Sequence, residues 1–403
     1  MKVETPQILW NSEGEKGLNA PLYSIDMLES GMAHDSSPNS KKYGHVLATA
    51  GNTNIINLWR VSFDNSSSNN SSSDSAATSN TMFQKQNKPY NKIDYMTSLA
   101  RHELPVNTVG FSPDGLHLVT AGEAGNIVVW SVPITKRGNG NGRHFWSTVT
   151  KETDLSVRIV STHCEGVCDI SWSADSKRFC VGTIDACVLV LEDKHHATNQ
   201  CSPDSLQKES EWNVVFRNSH DHTAFVQGVA YDPLGVYLAS MGSDRTVRVF
   251  PRKTPPKSKR NVLRPTNCKK GPVPPPEHQR FVEHLLTNTK LEIGKSKQLK
   301  HRRITVDETG AQVKQKLYCD ESTCESFFRR LSWTTDGAFL VTPAALWHTE
   351  DPTNKDSTAA PPSFSTHLFA RHRYDEPYMV LSGLEKVCYS MINSLSLADN
   401  AHD

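Results

Sequence analysis

Three histidines, His102, His163 and His222, each stand four residues before an apolar position, and Asp185 and Asp244 follow the second and third by 22 residues. A His–Asp pair can be the base and orienter of a catalytic triad. Repeated in register along a chain, the same pair reads instead as a buried hydrogen bond tying a loop to a hairpin, because a buried carboxylate needs a donor. His163 with Asp185 and His222 with Asp244 are therefore expected to be structural. Cys164 and Cys168 follow His163, yet no second ligand pair stands at zinc-site spacing, so neither metal nor cofactor is expected. The nine cysteines are scattered, and Cys168, Cys180 and Cys187 fall within apolar strand patterns, where a reduced, buried thiol is the ordinary state. No phosphate loop, nucleophile elbow or paired zinc motif appears, which leaves an enzyme without its chemistry.

The elements that position these residues come from an internal repeat. The stretch VNTVGFSPDG, from Val106 to Gly115, returns as VCDISWSADS, VQGVAYDPLG and FRRLSWTTDG, and more loosely as LYSIDM. Each copy has apolar residues at its first, fourth and sixth positions, and four copies run directly into a tight turn, SPDG, SADS, DPLG or TTDG. A second strand follows, as in LHLVTAG and VYLASMG, then a third, NIVVW, CVLVL or TVRVF. Gly51 to Trp59, Gly122 to Trp130 and Gly242 to Phe250 are all eight residues apart. Alternating β-branched and aromatic strands at this spacing predict an all-β fold, and a recurring four-strand unit is a propeller blade. Five blades are expected, near 1–62, 95–134, 157–193, 212–252 and 317–383, followed by a non-propeller tail at 384–403.

Between the first two apolar positions of each unit, two residues fall where the inner strand begins, near the channel. They are Asn107 and Thr108, Cys168 and Asp169, Gln227 and Gly228, and Arg329 and Arg330. Only the last unit places two arginines there, and guanidinium groups suit carboxylates and phosphates. Arg329, Arg330, Phe328, Gln227 and Asp169 are the expected partner contacts, with an acidic segment as the natural ligand; the alternative is that the two arginines pair with acidic neighbours across the blade or line the channel as structure.

Lys plus Arg total 44 against 43 Asp plus Glu, so the whole chain lacks the basic excess of a nucleic-acid binder and no sequence-specific DNA contact is expected. No apolar run approaches a membrane span and no secretory signal opens the chain, so no membrane contact is expected. Residues 63–92 hold the tract DNSSSNNSSSDSAATSN, which has nothing to bury and is expected to be disordered. Residues 136–156 and 193–211 read as polar surface loops. The Pro-rich insertion 251–316 carries Lys257, Lys259, Arg260, Arg302 and Arg303, a local basic charge suited to nuclear import or to an acidic partner, with a solvated loop as the plain alternative. A short helix is expected near FVEHLLTNTKLE.

The His/Asp spacing and the closing Trp resemble the WD-repeat family, although the closing dipeptides are Trp59-Arg60, Trp130-Ser131, Leu191-Glu192 and Phe250-Pro251. More closely, LARHELPVNTVGFSPDG, FVQGVAYDPLGVYLASMGSDRTVRVF and SFFRRLSWTTDGAFLVTPA resemble the WD-repeat middle subunits of chromatin assembly factor 1, over roughly 1–60, 95–252 and 317–383. That resemblance implies a seven-bladed, non-catalytic scaffold in a nuclear histone chaperone complex, which deposits histones H3 and H4 on DNA during replication and repair. It implies the large subunit of that complex and histones H3 and H4 as partners, and a second H3–H4 chaperone bound through a C-terminal tail. PQILWN at the start fits the closing strand, and the sequence is expected to stop about two blades short of closure, with an irregular five- or six-bladed closure as the alternative. HRRITVDE resembles the Arg-Arg-Ile type of tail motif but lacks its proline and sits in an internal loop. A generic WD-repeat adaptor, as in a ubiquitin ligase, is the alternative function, and SFFRRLSW argues against it.

Overall fold

Runs such as Val106–Phe111 and Val188–Asp193 are buried along their whole length, as strands covered on both faces must be. The computed structural model describes residues 12–13, 18–19, 21–29, 45–62, 92–136, 143–194, 211–253, 291–299, 304–306, 312–314, 317–324, 326–347, 363–388 and 390. Five four-stranded antiparallel sheets form successive blades of an all-β propeller. Blade 1 comprises Leu22–Leu28, His45–Gly51, Thr53–Ser62 and Lys92–Leu99. Blade 2 comprises Val106–Phe111, His117–Gly122, Asn126–Ser131 and Ser156–Ser161. Blade 3 comprises Val167–Trp172, Arg178–Thr183, Val188–Asp193 and Trp212–Asn218. Blade 4 comprises Val226–Tyr231, Tyr237–Gly242, Val247–Pro251 and Lys297–Gln298. Blade 5 comprises Ser332–Trp333, Phe339–Trp347, Ser363–Ala370 and Met379–Leu384.

The blades are offset from the sequence repeat by one strand. The segments opening the second, third and fourth units, Lys92–Leu99, Ser156–Ser161 and Trp212–Asn218, hydrogen-bond to the preceding blade as its outer strand. Each boundary is thus crossed by chain as well as by packing. The largest departure concerns blade 4, whose outer strand comes from inside the insertion: Val249 pairs with Lys297 and Arg248 with Gln298. Leu291 and Ile293 pack beneath it, so that stretch belongs to the blade.

The core lies between blades. Ile56, Leu58 and Leu99 meet Phe111, Leu118 and Trp130 between the first two. Val119 and Val129 meet Phe179 and Leu189 between the next two. Val188 and Val190 meet Val229 and Leu238, and Met241 and Val249 meet Trp333 and Leu340. Each fully buried large side chain contributes about 1.5–3 kcal/mol. The polar loop expected over 136–156 is in part core. A one-turn helix, Arg143–Trp146, inserts Trp146 edge-on to Phe111 at 5.2 Å and donates its indole N–H to Gly115 O at 2.8 Å. A lone indole among polar residues carries no periodicity by which a sequence reading could find it.

Residues 64–80, the N-terminal PQILWN, most of the FVEHLLTNTKLE segment and the basic residues Lys257, Lys259, Arg260, Arg302 and Arg303 lie outside the described residues. Among those described, no helix is long and apolar enough to cross a membrane.

Candidate functional site

The inner strands line a central channel. At their third positions stand Ser24, Thr108, Asp169, Gly228 and Arg330. These residues bind blade to blade: Val109 N donates to Ser24 Oγ at 3.2 Å and Val229 N to Asp169 Oδ2 at 3.0 Å. Gly228 serves by what it lacks. A Cβ there would come within 2.0 Å of Arg329 O, so only glycine lets the start of blade 5 close on blade 4.

Arg330 spans the channel. Its Nε donates to Asp169 Oδ1 at 3.1 Å, Nη2 to Asn107 O at 2.8 Å and Nη1 to Tyr23 O, while the guanidinium lies 4.4 Å over the Phe328 ring. One side chain thereby joins blades 1, 2, 3 and 5. Burial raises Asp169 above the usual carboxylate value, and Arg330 with the amides of Val229 and Ile170 opposes that rise. Arg329 points the other way and is wholly buried, with Nη1 on Cys319 O at 2.8 Å. Its Nε and Nη2 have no hydrogen-bond partner among the described residues. Gln227 is buried too, and its backbone carbonyl accepts from Arg329 N at 3.3 Å.

Of the two arginines, Arg330 takes the alternative arrangement, a pairing across the blades. Arg329 and Gln227 are buried within the blades, Asp169 lines the channel with its carboxylate held by Val229 N and Arg330 Nε, and Arg330 donates to Asp169, Asn107 and Tyr23. Position along the strand identified the channel. It could not say which of two adjacent arginines faces it, because neighbouring side chains on a strand point to opposite faces. Phe328 does reach the mouth, a cavity of about 870 Å³ lined by Tyr23, Leu104, Phe327, Phe328 and Arg330. Phe327 and Phe328 meet edge-on at 5.3 Å, and Tyr23 lies 5.5 Å from Phe328. Leu104 and Phe327 are exposed, and Glu123 and Glu165 stand at the rim. An apolar floor with an acidic rim suits an apolar ligand carrying positive charge, and opposes an acidic one.

The His–Asp pairs separate. His222 Nδ1 lies 2.9 Å from Asp244 Oδ2 and its Nε2 2.7 Å from Ser240 Oγ. Asp244 also accepts from Thr223 N, Thr246 N and Thr246 Oγ1. Burial pushes its pKa up, but these donors, His222 first, outweigh that and hold it low. His102 bonds Thr120 Oγ1 at 2.8 Å, and burial lowers its pKa to about 4, so the ring is neutral.

In blade 3 the expected pair does not form. His163 is exposed at a φ of 54°, and Asp185 meets only the Cys187 thiol, at 3.7 Å. The cause is one register position away. Thr120 and Ser240, opposite Val109 and Val229, give the histidines of blades 2 and 4 a hydroxyl, whereas Val181 stands opposite Ile170. Without a hydroxyl below it the ring has nothing to gain by burial. In blade 5 Tyr318 takes the histidine's place, its hydroxyl on Thr342 Oγ1 at 3.0 Å.

Against known proteins, residues 1–286 match the family model described as the CAF1B/HIR1 beta-propeller domain. The chain is 29% identical over 301 residues to the chromatin assembly factor 1 subunit FAS2 homolog of Oryza sativa, covering 74% of this chain and 44% of that protein. It is 25% identical over 382 residues to the B-subunit of chromatin assembly factor 1 from Mus musculus, covering 94% and 48%. Protein HIR1 of Kluyveromyces lactis is 26% identical over 247 residues, covering 60% and 27%. The chain therefore spans less than half the length of these relatives, and by the family model, which matches residues 1–286 of its 403, it belongs to the CAF1B/HIR1 β-propeller family.

Proposed function

We propose that this chain is a non-catalytic scaffold of a nuclear chromatin assembly complex that deposits histones H3 and H4 on DNA during replication and repair. The names of its relatives, chromatin assembly factor 1 subunits and HIR1, support the chromatin role. The observation that carries the docking reading is the aromatic mouth of the channel, with exposed Leu104 and Phe327 between Glu123 and Glu165. Exposed aromatic and aliphatic side chains around a concave floor are what a partner anchor buries. The large subunit of the complex is the occupant, through an apolar segment flanked by basic residues. Histones H3 and H4 arrive with that subunit, and a second H3–H4 chaperone joins through them. The buried His222–Asp244 pair does no chemistry here, since its donors and acceptors are saturated within the blade.

The test is affinity purification of the tagged chain from nuclear extract, with Leu104→Ala/Phe327→Ala and Glu123→Lys/Glu165→Lys in parallel. Recovery of the large assembly-factor subunit with H3 and H4, lost in both variants at unchanged Tm, supports this reading. Recovery undiminished by either variant places docking elsewhere. Capture of ubiquitin-ligase subunits in place of histones would favour a generic adaptor.

A further inference from the structure

Blade 3 holds an unusual replacement at the positions where blade 4 builds its His–Asp network. Each of the four residues has its counterpart 59 positions on: His163 for His222, Cys164 for Thr223, Asp185 for Asp244 and Cys187 for Thr246. In blade 4 the threonines supply three of the donors that satisfy Asp244. In blade 3 two thiols stand in their place and the histidine has turned out to solvent. Cys164 Sγ, Cys187 Sγ and an Asp185 oxygen all lie within 4.8 Å of one another. Asp185 Oδ1 is buried with no hydrogen-bond partner among the described residues, where Asp244 Oδ1 takes two bonds.

A guanidinium completes the cluster. Arg217, on the outer strand of blade 3, places Nη1 3.6 Å from Cys164 Sγ and 3.9 Å from Cys187 Sγ, and is pinned by Nη2 on Thr162 O. Such N–H···S contacts are the outer-shell support that thiolate ligands require. The charges also balance. Two thiolates and a carboxylate sum to −3, a divalent ion leaves −1, and Arg217 neutralises the remainder.

We propose that Cys164, Cys187 and Asp185 form a binding site for a zinc ion on blade 3. Thiolates select a soft or borderline ion over calcium or magnesium, and two sulfurs with one carboxylate oxygen provide three of the four ligands of a tetrahedral centre. Water or a partner's side chain completes the fourth position. The ion pins the loop carrying Cys164 to the turn carrying Asp185 and Cys187, the task His222 and Asp244 perform one blade later. Spacing along the chain conceals this set, because Cys164 and Cys187 are 23 residues apart and belong to no paired motif.

The experiment uses the full chain, purified reduced and metal-free. It is titrated with cobalt(II), competed with zinc, and analysed for metal content after dialysis against zinc. Cys164→Thr/Cys187→Thr, which installs the residues of blade 4, keeps the fold testable, and Cys324→Ser controls for thiols elsewhere. One equivalent of metal, a thiolate-to-cobalt absorption band abolished by zinc, and a zinc-dependent rise in Tm are expected. The double variant should lose affinity by more than about 100-fold, beyond the 10–100-fold of an outer-shell loss, while Cys324→Ser keeps it. Equal metal uptake by the chain and the double variant overturns the proposal. So does a Cys164–Cys187 disulfide in protein that takes up no metal after reduction.

Discussion

Asp244 and Asp185 occupy the same place in consecutive blades, and their surroundings assign them different energies. Asp244 is ionised and saturated with donors, and hydrogen bonds to a charged group contribute about 1.5–3 kcal/mol each. Asp244→Asn should therefore lower stability by about 2 kcal/mol at neutral pH, and metal-free Asp185→Asn by far less, in parallel denaturant titrations. Because the Asp244 pKa is lowered in the fold, its contribution is present above the ordinary value of 3.8 and is lost as pH falls below it, so the Asn variant converges on the parent in acid. Arg330→Ala should have the opposite origin and the same trend. It strands the buried Asp169 carboxylate, at about 3 kcal/mol near neutral pH. The Asp169 pKa is already raised by burial, so the folded state holds its proton above pH 3.8, and removing Arg330 raises it further. The deficit should shrink as the pH is lowered toward the ordinary carboxylate range; an Arg330→Ala deficit that does not shrink anywhere in an acid titration would show that the ion pair contributes nothing.

Among the elements, the inner and middle strands were legible in the sequence because turn residues and alternation recur with them, and the eight-residue glycine-to-aromatic spacing marks the second and third strands of blades 1, 2 and 4. The outer strands read as part of the following unit, which is where the structure differs. Nothing in Lys92–Leu99 or Trp212–Asn218 states which neighbour it pairs with, since both edges of a blade offer unpaired backbone. Lys297–Gln298 was hidden more deeply, as two polar residues inside a basic Pro-rich insertion. The site was half legible: register located the channel and Phe328, while the burial of Arg329 and the turned-out His163 depend on partners such as Cys319 O and Val181 that are remote in sequence. The connection from Pro251 to Lys297 is long, and loop-closure cost grows only by about 0.6 kcal/mol per doubling. Replacing 254–290 by a short flexible linker should hence change stability by no more than about 1–2 kcal/mol in urea unfolding. If the basic charge of that stretch binds DNA, the salt-dependent component of DNA binding disappears with it.

At the scale of the molecule, the two ends of the arc differ from its middle. Val109, Ile170, Val229 and Leu331 are buried at the fourth inner-strand position, whereas Ile25 in blade 1 is 50% exposed. Met27 lies two residues on, 43% exposed, and Met379 and Leu381 show on the outer strand of blade 5. Arg330 and Phe328 reach across to Tyr23, so the first and fifth blades touch through the channel.

The offset between blade and repeat also sets a timetable for synthesis. No blade from the first to the fourth is complete when its own repeat leaves the ribosome, because its outer strand is encoded further along the chain. For blade 4, 45 residues separate Pro251 from Lys297, and at 5–20 residues per second they take roughly 2–9 s to emerge. Through that interval the Val247–Pro251 edge is bare, a template on which any nascent strand can pair. This chain's demand for chaperones during translation is therefore concentrated at its fourth blade, and the length of the insertion is its duration.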